Sequence, residues 1–305
     1  MGKFLVAGVV QREIIVKADP LATGGEVPLR RPGNVFNCVG GAAYNTALAL
    51  QWLGNSVDFL CMTGEGDEKI LNQSYKEVHL ETDFVLPRLK KTPSAVVIYD
   101  GEDKYQIFED RTDLPQAVYD PEIFRERAVR AEILVISDVE FCRPLIEIGK
   151  ELRKTAAVNL KRGCVGAQKE AAEDFLKAAD ILYLSDECLK EEPFEFVKSL
   201  AAKYRPEIII LGQGAKGVIL YDKSRNMIAH YDRVKTHGVV NTLGEGNALF
   251  SCFLHFYNLT HDSVYAIKNA LLFASYKIGF MGTSNGFLRE DELLRWHNLI
   301  WRDGR

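Results

Sequence analysis

The chain has 305 residues, of which 47% are hydrophobic, and it carries a formal net charge of -4. This is enough material for one large α/β domain or two small ones. The basic residues are dispersed, which argues against a nucleic-acid surface and favours a small-molecule partner. The six cysteines include no CxxC pair, so we interpret them as buried thiols in a reducing compartment, not as disulfides or zinc ligands.

The first apolar run, FLVAGVV, is too short to cross a membrane, and polar residues follow it where a signal peptide would have its cleavage site. We therefore expect a cytoplasmic protein with no membrane partner. The six histidines show neither HExxH spacing nor cysteine partners at zinc-finger spacing, so the sequence indicates no metal site of that kind.

Along the chain, short apolar runs alternate with longer segments of helical spacing. The predicted strands are FLVAGVV, VDFLCM, ILVIS, AAVNL, ILYLS and EIIILG, and the predicted helices include AAYNTALALQWL, PLIEIGKELRK, AAEDFLKAA and FEFVKSLAAKY. Asp120 before Pro121 and Asp262 before Ser263 are predicted to cap two further helices. This alternation predicts βαβ units, hence a mostly parallel sheet with helices on both faces. Such sheets bind ligands at the carboxyl ends of their strands.

Two regions interrupt the alternation. Residues from about 16 to 39 are rich in glycine, proline and charge. The segment SAVVIYDGEDKYQIFED predicts a hairpin that turns at Asp100 and Gly101, and GVILYDKSRNMIAHYD predicts another hairpin around residues 223–226. Because no repeat or linker divides the chain, we expect one domain with a small β appendage.

Three glycine-containing stretches are candidates for chemistry. In GGAAYNTALALQWLG, two glycines precede a helix, and Asn45 either binds sugar hydroxyls or helps to cap that helix. In GQGAKG, residues 212–217, the glycines either admit a flat base or only turn the chain. In NTLGEGNALFSCFLHF, Gly244 and Gly246 precede an apolar helix, whose N-terminus favours an anion.

The order of these stretches resembles the ribokinase-like (PfkB-type) family of sugar and nucleoside kinases over nearly the whole chain. GVVQREI is similar to the family's first-strand segment, with Glu13 at the position of an Asp that binds substrate hydroxyls and Gln11 at a frequent Asn position. The resemblance implies that a sugar or nucleoside is bound by Gln11, Glu13, Gly40, Gly41 and Asn45.

The later stretches resemble the family's nucleotide and catalytic motifs. GQGAKG is similar to TxGxxG, and NTLGEGN to DTxGAGD. The resemblance implies ATP and Mg²⁺ as cofactors, a nearby monovalent-cation loop that includes Ser284 and Asn285, and phosphoryl transfer to a hydroxymethyl group. It implies nucleotide contacts from Lys161, Ser185, Gly212, Gly214, Gly217 and Asn269. It implies an anion hole at Gly244, Glu245 and Gly246, beside Asn247 at the position of the catalytic base.

The resemblance also implies the architecture. We expect a ribokinase-like domain over residues 1–305, with three α/β/α layers, a mostly parallel central sheet and a small β-sheet lid. The lid is expected from about 14–39 and about 94–110. Because edge strands pair readily, the lid edge is the expected surface for a homodimer.

The chain departs from the family at the chemistry. Asn247 replaces the Asp that accepts the hydroxyl proton, and general base catalysis is worth about 10²- to 10⁴-fold. Glu245 replaces an Ala, and its repulsion of a phosphate charge about 4 Å away would be about 4 kcal/mol at an effective dielectric of 20. Asn241 replaces another Asp, and Cys188 stands at the Glu position of the family's NxxE motif, which begins at Ser185.

A further departure lies in the family's DxNxR segment. Here it reads AAVNLKR, which keeps Asn159, offers Lys161 for the Arg and loses the Asp to Ala157. Two functions remain open: a sugar or nucleoside kinase whose activity is weak or lost, or an inactive sugar- or nucleoside-binding pseudokinase that serves as a sensor or partner subunit.

Overall fold

The structure is a computed structural model that describes residues 2–18, 32–67, 80–99, 105–160, 172–187 and 189–301. In chain order, the strands are β1 (Lys3–Ala7), β2 (Gln11–Lys17), β3 (Val35–Gly40), β4 (Ser56–Gly64), β5 (Val85–Leu89), β6 (Ser94–Tyr99), β7 (Tyr105–Asp110), β8 (Ile133–Ser137), β9 (Thr155–Leu160), β10 (Ile181–Ser185), β11 (Ile208–Gly212), β12 (Val218–Asp222) and β13 (Met227–Tyr231). The α-helices are α1 (Ala42–Trp52), α2 (Pro121–Arg130), α3 (Arg143–Glu151), α4 (Glu173–Ala178), α5 (Pro193–Tyr204), α6 (Glu245–Thr260), α7 (Ser263–Lys277) and α8 (Glu290–Trp301).

The larger sheet has nine strands in the order β13-β12-β11-β10-β9-β8-β1-β4-β5. The seven strands from β11 to β5 run parallel, while β12 and β13 form an antiparallel edge. Strands β8 and β11 are buried along their whole length, as a parallel sheet covered on both faces requires. The predicted mostly parallel sheet is confirmed.

Helices cover both faces of this sheet. Alternate residues of β1 point to opposite faces, so Phe4 packs in the cluster that includes Phe253 of α6, and Leu5 packs in the cluster that includes Phe196 of α5. The first cluster also takes in α1 and α7, and the second takes in α2, α3 and α4. The result is the three-layer α/β/α fold that the sequence predicted.

A smaller sheet has four strands in the order β3-β2-β6-β7. Strands β6 and β7 pair antiparallel, which confirms the hairpin predicted over 94–110, although its turn lies outside the described residues. The hairpin β12–β13 is likewise confirmed. Strand β2 begins at Gln11, slightly before the predicted start of about 14. That this small sheet acts as a lid stays a prediction.

Among the described residues, no helix combines the length and the apolar character needed to span a bilayer. The predicted nucleotide residue Lys161 and the substituted position Cys188 lie outside the described ranges.

Candidate active site

A cavity of about 1020 Å³ lies at the carboxyl ends of the parallel strands. Asn159 near the end of β9, Ser185 at the end of β10 and Gly212 at the end of β11 all line it. The smaller sheet adds Val97 and Ile107 from the opposite side. The topology therefore places the cavity where ligands bind in open α/β sheets.

The glycine turn before α6 reaches this cavity. Helix α6 begins at Glu245, and Gly244 precedes it in the left-handed region with φ 78°. A Cβ at Gly244 would lie 2.4 Å from the Thr283 carbonyl oxygen, so only glycine lets the two loops approach this closely. Because the first N–H groups of a helix lack intrahelical partners, this turn presents donors and a positive dipole end to the cavity.

Asn247 lies in the first turn of α6, and its side chain is buried beside the cavity. Its Oδ1 accepts a hydrogen bond of 2.9 Å from Asn159 Nδ2. Asn159 Oδ1 has no hydrogen-bond partner among the described residues. An amide therefore stands where a carboxylate could accept a proton, and an amide oxygen is too weak a base for that role.

Glu245 does not take over the position of Asn247. Both residues belong to the first turn of α6, where a two-residue separation corresponds to a rotation of about 200°. Asn247 is buried, whereas Glu245 is partly exposed to solvent. The two side chains consequently leave the helix in opposite directions, which argues against a relocated base.

Tyr183 on β10 supports the glycine turn from below, and the sequence analysis missed it. A Cβ at either Gly212 or Gly246 would lie 2.6 Å from the Tyr183 hydroxyl. Its ring packs against Phe250 with the centroids 5.6 Å apart. The two glycines thus make room for this phenol as well as for a ligand. Tyr183 is the only aromatic residue in the otherwise mainly aliphatic strand ILYLS, and this difference could have drawn attention to it.

Glu13 is held by four donors. Its Oε1 accepts from Gln11 Nε2 at 2.8 Å and from the Gly41 backbone N–H at 3.1 Å. Its Oε2 accepts from Thr283 Oγ1 at 2.6 Å and lies 3.8 Å from the Cys38 thiol. A carboxylate has about four acceptor sites. Glu13 lines the cavity, but a substrate hydroxyl would have to displace one of these donors.

Gly40 and Gly41 serve the same carboxylate. A Cβ at Gly40 would lie 2.3 Å from the carboxyl group of Glu13, and one at Gly41 would lie 2.5 Å from the Val9 carbonyl oxygen. Gly41 is the N-cap residue of α1, with φ 104° and no side-chain cap bond. The predicted glycine pair therefore lets β2, β3 and α1 converge around Glu13, and neither glycine lines the cavity.

Asn45 lies in the first turns of α1 and lines the cavity. The side chain is only 2% exposed, and its Oδ1 has no hydrogen-bond partner among the described residues. Since a buried polar atom without a partner is costly, Asn45 presents an acceptor that a ligand can satisfy.

Lys277, at the last position of α7, is fully buried behind the glycine turn. Its Nζ donates to the carbonyl oxygens of Leu243 and Gly282, the latter at 2.7 Å. Burial lowers the pKa of Lys277 to about 8, and the charge of Glu245 opposes this change. The sequence analysis did not single out Lys277, although a lysine on an apolar helix face was the available signal.

Of the residues predicted to contact the nucleotide, some line the cavity and one does not. Gly212, Gly214, Gly217 and Ser185 line the cavity. Asn269 does not line it, contrary to expectation, because its side chain is buried in α7 and donates to the Tyr265 carbonyl oxygen at 2.9 Å.

The two side chains predicted for the cation loop donate hydrogen bonds to backbone carbonyl oxygens. Ser284 Oγ donates to the Val39 carbonyl oxygen at 3.1 Å, and Asn285 Nδ2 donates to the Met281 carbonyl oxygen at 2.9 Å. Asn241, at the first position of the signature, accepts from the Leu243 N–H at 3.0 Å. Its Nδ2 donates to the Phe280 carbonyl oxygen at 3.0 Å, so Asn241 ties the turn to the loop after α7 through a donor that a carboxylate lacks.

No group of three His, Cys, Asp or Glu side chains within the described ranges is arranged to hold a metal ion. A Mg²⁺ ion bound with a nucleotide needs less, because phosphates and water supply most of its ligands and the protein adds one or two carboxylates. Asp186 and Glu187, which follow β10, line the cavity and offer such carboxylates.

The chain is similar to known proteins in sequence and in fold. The family model of the pfkB family carbohydrate kinase matches residues 5–290. A deoxyribokinase from Salmonella typhi is 32% identical over 79 residues, which are 26% of this chain and only 25% of that enzyme's length.

Two solved structures are similar to this chain in fold. The microbiome-derived acarbose kinase Mak1 has a TM-score of 0.84 at 20% identity and covers 97% of this chain and 98% of its own. The Arabidopsis thaliana ribokinase complexed with ribose and ATP has a TM-score of 0.78 at 16% identity, covering 96% of this chain and 98% of its own.

Proposed function

Because this chain belongs to the pfkB family of carbohydrate kinases, we propose that it binds a sugar or nucleoside next to ATP and transfers a phosphoryl group only slowly. The observation that carries the proposal is the amide pair at the N-terminus of α6, where Asn159 donates to Asn247 at 2.9 Å. The glycine turn before α6 suits an anion, and an amide stands beside it where a proton acceptor would be needed. Loss of a general base lowers turnover by about 10²- to 10⁴-fold.

Asn45 supports the binding of a polyhydroxylated substrate. Its buried Oδ1 has no hydrogen-bond partner among the described residues. An amide can accept a hydrogen bond at Oδ1 and donate one at Nδ2, as sugar hydroxyls require. Gln11 and Glu13 lie near the same end of the cavity. Their hydrogen bonds to each other and to Gly41 hold this end in one arrangement before a substrate arrives, which lowers the entropic cost of binding.

Three glycines that line the cavity, Gly212, Gly214 and Gly217, support the binding of ATP. ATP would supply the phosphoryl group when bound. Gly212 and Gly214 leave room for the nucleotide, and the N-terminus of α6 receives its phosphates. Asp186 and Glu187 would hold Mg²⁺ beside them. Phosphoryl transfer depends largely on positioning and electrostatics, so turnover persists at a low rate without a strong base.

The position of Glu245 supports a second candidate function: the chain is a pseudokinase that binds a sugar or nucleoside without transferring phosphate. Its carboxylate stands in the first turn of α6, at the end of the helix that must receive the phosphates. Repulsion between this charge and a triphosphate weakens ATP binding. In this alternative the chain keeps the substrate end of the cavity and serves as a sensor or a partner subunit.

A ligand screen with product detection tests the proposal. The purified protein is melted with sugars and nucleosides, each with and without Mg-ATP, and each mixture is then assayed for phosphorylated product. We expect stabilisation by one class of substrate, further stabilisation by Mg-ATP, and slow product formation. Turnover at the usual ~1 to 100 s⁻¹ of kinases would contradict the slow-transfer proposal, and substrate binding without any effect of ATP would establish the pseudokinase.

A further inference from the structure

Lys277 is a buried cation for which phosphoryl transfer assigns no chemical step. Its side chain has no exposed surface and ends between two loops, residues 241–244 before α6 and residues 279–283 after α7. Taking an ammonium group out of water is costly unless it is paired and hydrogen-bonded. The groups around Lys277 must therefore compensate the charge of this ammonium.

The ligands of the ammonium are backbone carbonyls. Nζ donates to the Leu243 oxygen, one residue before the helix N-cap, and to the Gly282 oxygen at 2.7 Å. The neighbouring Thr283 carbonyl lies against Gly244 so closely that a Cβ there would approach it to 2.4 Å. One positive charge thus ties together both loops that shape the phosphate-binding turn.

The titratable groups near Lys277 come from three elements. Glu245 of α6 and Glu13 of β2 both favour its charged form, and Cys38 of β3 lies in the same surroundings. Burial raises the pKa of the Cys38 thiol to about 12, so this thiol stays neutral. The ammonium is compensated by two carboxylates, one of which is the acid that opposes phosphate binding.

We propose that the Lys277 ammonium is a built-in monovalent cation, so that this chain neither binds nor needs K⁺ beneath its phosphate-binding turn. Ser284 and Asn285, which were expected in an external cation loop, donate hydrogen bonds to the Val39 and Met281 carbonyl oxygens. The Leu243 and Gly282 oxygens, which would face such a cation, are already engaged by Nζ. Lys277 is accordingly a positioning residue that also offsets the charge of Glu245.

The role toward ATP rests on the proposed function, whereas the replacement of the cation does not. Melting temperatures without nucleotide therefore test the replacement directly. The wild-type chain is melted in potassium chloride, ammonium chloride and N-methyl-D-glucamine chloride at matched ionic strength. We expect the three melting temperatures to agree within about 1 °C. A melting temperature raised specifically by potassium or ammonium would overturn the proposal, and this arm requires no variant to fold.

Lys277→Ala opens the space between the two carbonyls. We expect this variant to melt more than about 4 °C below the wild type in N-methyl-D-glucamine and to recover part of that loss specifically in potassium or ammonium. Lys268→Ala, on the partly exposed face of the same helix, should show neither effect. A loss that no cation restores would mean that Lys277 acts through packing alone, and an unchanged melting temperature would mean that it does not stabilise the two loops; either result would overturn the proposal.

Calorimetric titration with Mg-ATP in the same buffers completes the test. We expect wild-type affinity to be independent of the cation and Lys277→Ala to bind at least about tenfold more weakly in N-methyl-D-glucamine, since one lost hydrogen-bonded charge has about this effect. Wild-type affinity that depends on potassium would overturn the proposal. A wild type that binds no ATP in any buffer would refute the proposed ATP site, while the melting temperatures would still decide the role of Lys277.

Discussion

Asn45 lines the cavity, is buried, and carries an amide oxygen without a hydrogen-bond partner among the described residues. Asn45→Ala should weaken binding of the sugar or nucleoside about tenfold, because one hydrogen bond to a buried polar group is lost. Affinity for Mg-ATP should stay the same. Calorimetry on both ligands measures this difference, and Gln51→Ala on the same helix is the matched control. Substrate affinity within twofold of the wild type would remove Asn45 from the binding site.

Lys277 makes ATP binding depend on pH. Burial lowers its pKa to about 8 from the ordinary 10.5, so the positive charge beneath the turn is lost as pH rises through about 8. ATP affinity should therefore fall between pH ~7 and pH ~9.5. Lys277→Met should bind weakly at every pH in this range. A wild-type profile as flat as that of the variant would contradict the assignment.

The same group has an opposite effect on folding. Between about 8 and 10.5, the unfolded chain binds more protons at Lys277 than the folded chain does, so its contribution to the free energy of unfolding rises with pH. Denaturant titrations of wild type and Lys277→Met at both ends of this window isolate that contribution. If the difference between the two proteins does not change with pH, the pKa of Lys277 is not lowered.

Sequence reasoning identified part of the site at the scale of residues. The positions of Asn247, Gly244 and Asn45 at the cavity followed from glycine turns and helix starts, while their roles stay predictions. Lys277 was missed because a lysine in the last turn of a helix is usually exposed and complements the helix dipole. Asn269 as a nucleotide contact stays a prediction, because a motif position does not show whether an amide faces a ligand or its own helix.

At the scale of elements, the N-terminus of α7 depends on one side chain. Asp262 Oδ1 accepts from the backbone N–H groups of Val264 at 2.9 Å and Tyr265 at 3.1 Å. Asp262→Ala should lower the free energy of unfolding by about 1 kcal/mol, as measured by urea titration. Asp262→Asn keeps a capping oxygen and should retain most of the stability. Equal losses in both variants would mean that charge matters more than capping.

The pH dependence of the wild type has a defined sign at this cap. The pKa of Asp262 is lowered, and the largest cause is the hydrogen bond that its carboxylate accepts from the Tyr265 backbone N–H. A carboxylate with a lowered pKa stabilises the fold above its unfolded pKa, and this contribution is lost as pH falls through the folded value. Asp262→Asn should not show this acid-induced loss.

Elements with strong local signals were predicted, and those that depend on neighbours were not. Both hairpins followed from turn residues and alternation, and α6 from its glycines and apolar face. Strand β5 was missed because it contains Pro87, which β5 tolerates because it lies at the edge of the sheet. Strand β3 was not predicted as a separate strand because it ends a region, residues about 16 to 39, that is rich in glycine, proline and charge. Its pairing with β2 decides its conformation.

At the scale of the whole molecule, the alternation of strands and helices was sufficient for the three-layer fold. The central strands of the larger sheet, such as β8 and β11, are buried on both faces, so their apolar runs are continuous and recognisable. The order of the strands is not encoded in that alternation, because any right-handed set of crossovers would satisfy it. The order nevertheless matters for function, since it brings the ends of β9, β10 and β11 together beside α6.

This molecule has the fold of a carbohydrate kinase, and we propose that it lacks the base of one. The most direct measurement is the turnover of wild type and Asn247→Asp, with the substrate that stabilises the protein and saturating Mg-ATP. An aspartate at this position would accept the hydrogen bond from Asn159 and a proton from the substrate. We predict slow wild-type turnover and a gain of about 10²-fold or more. Wild-type turnover at ~1 to 100 s⁻¹, or no gain even after Glu245→Ala is added, would contradict this account.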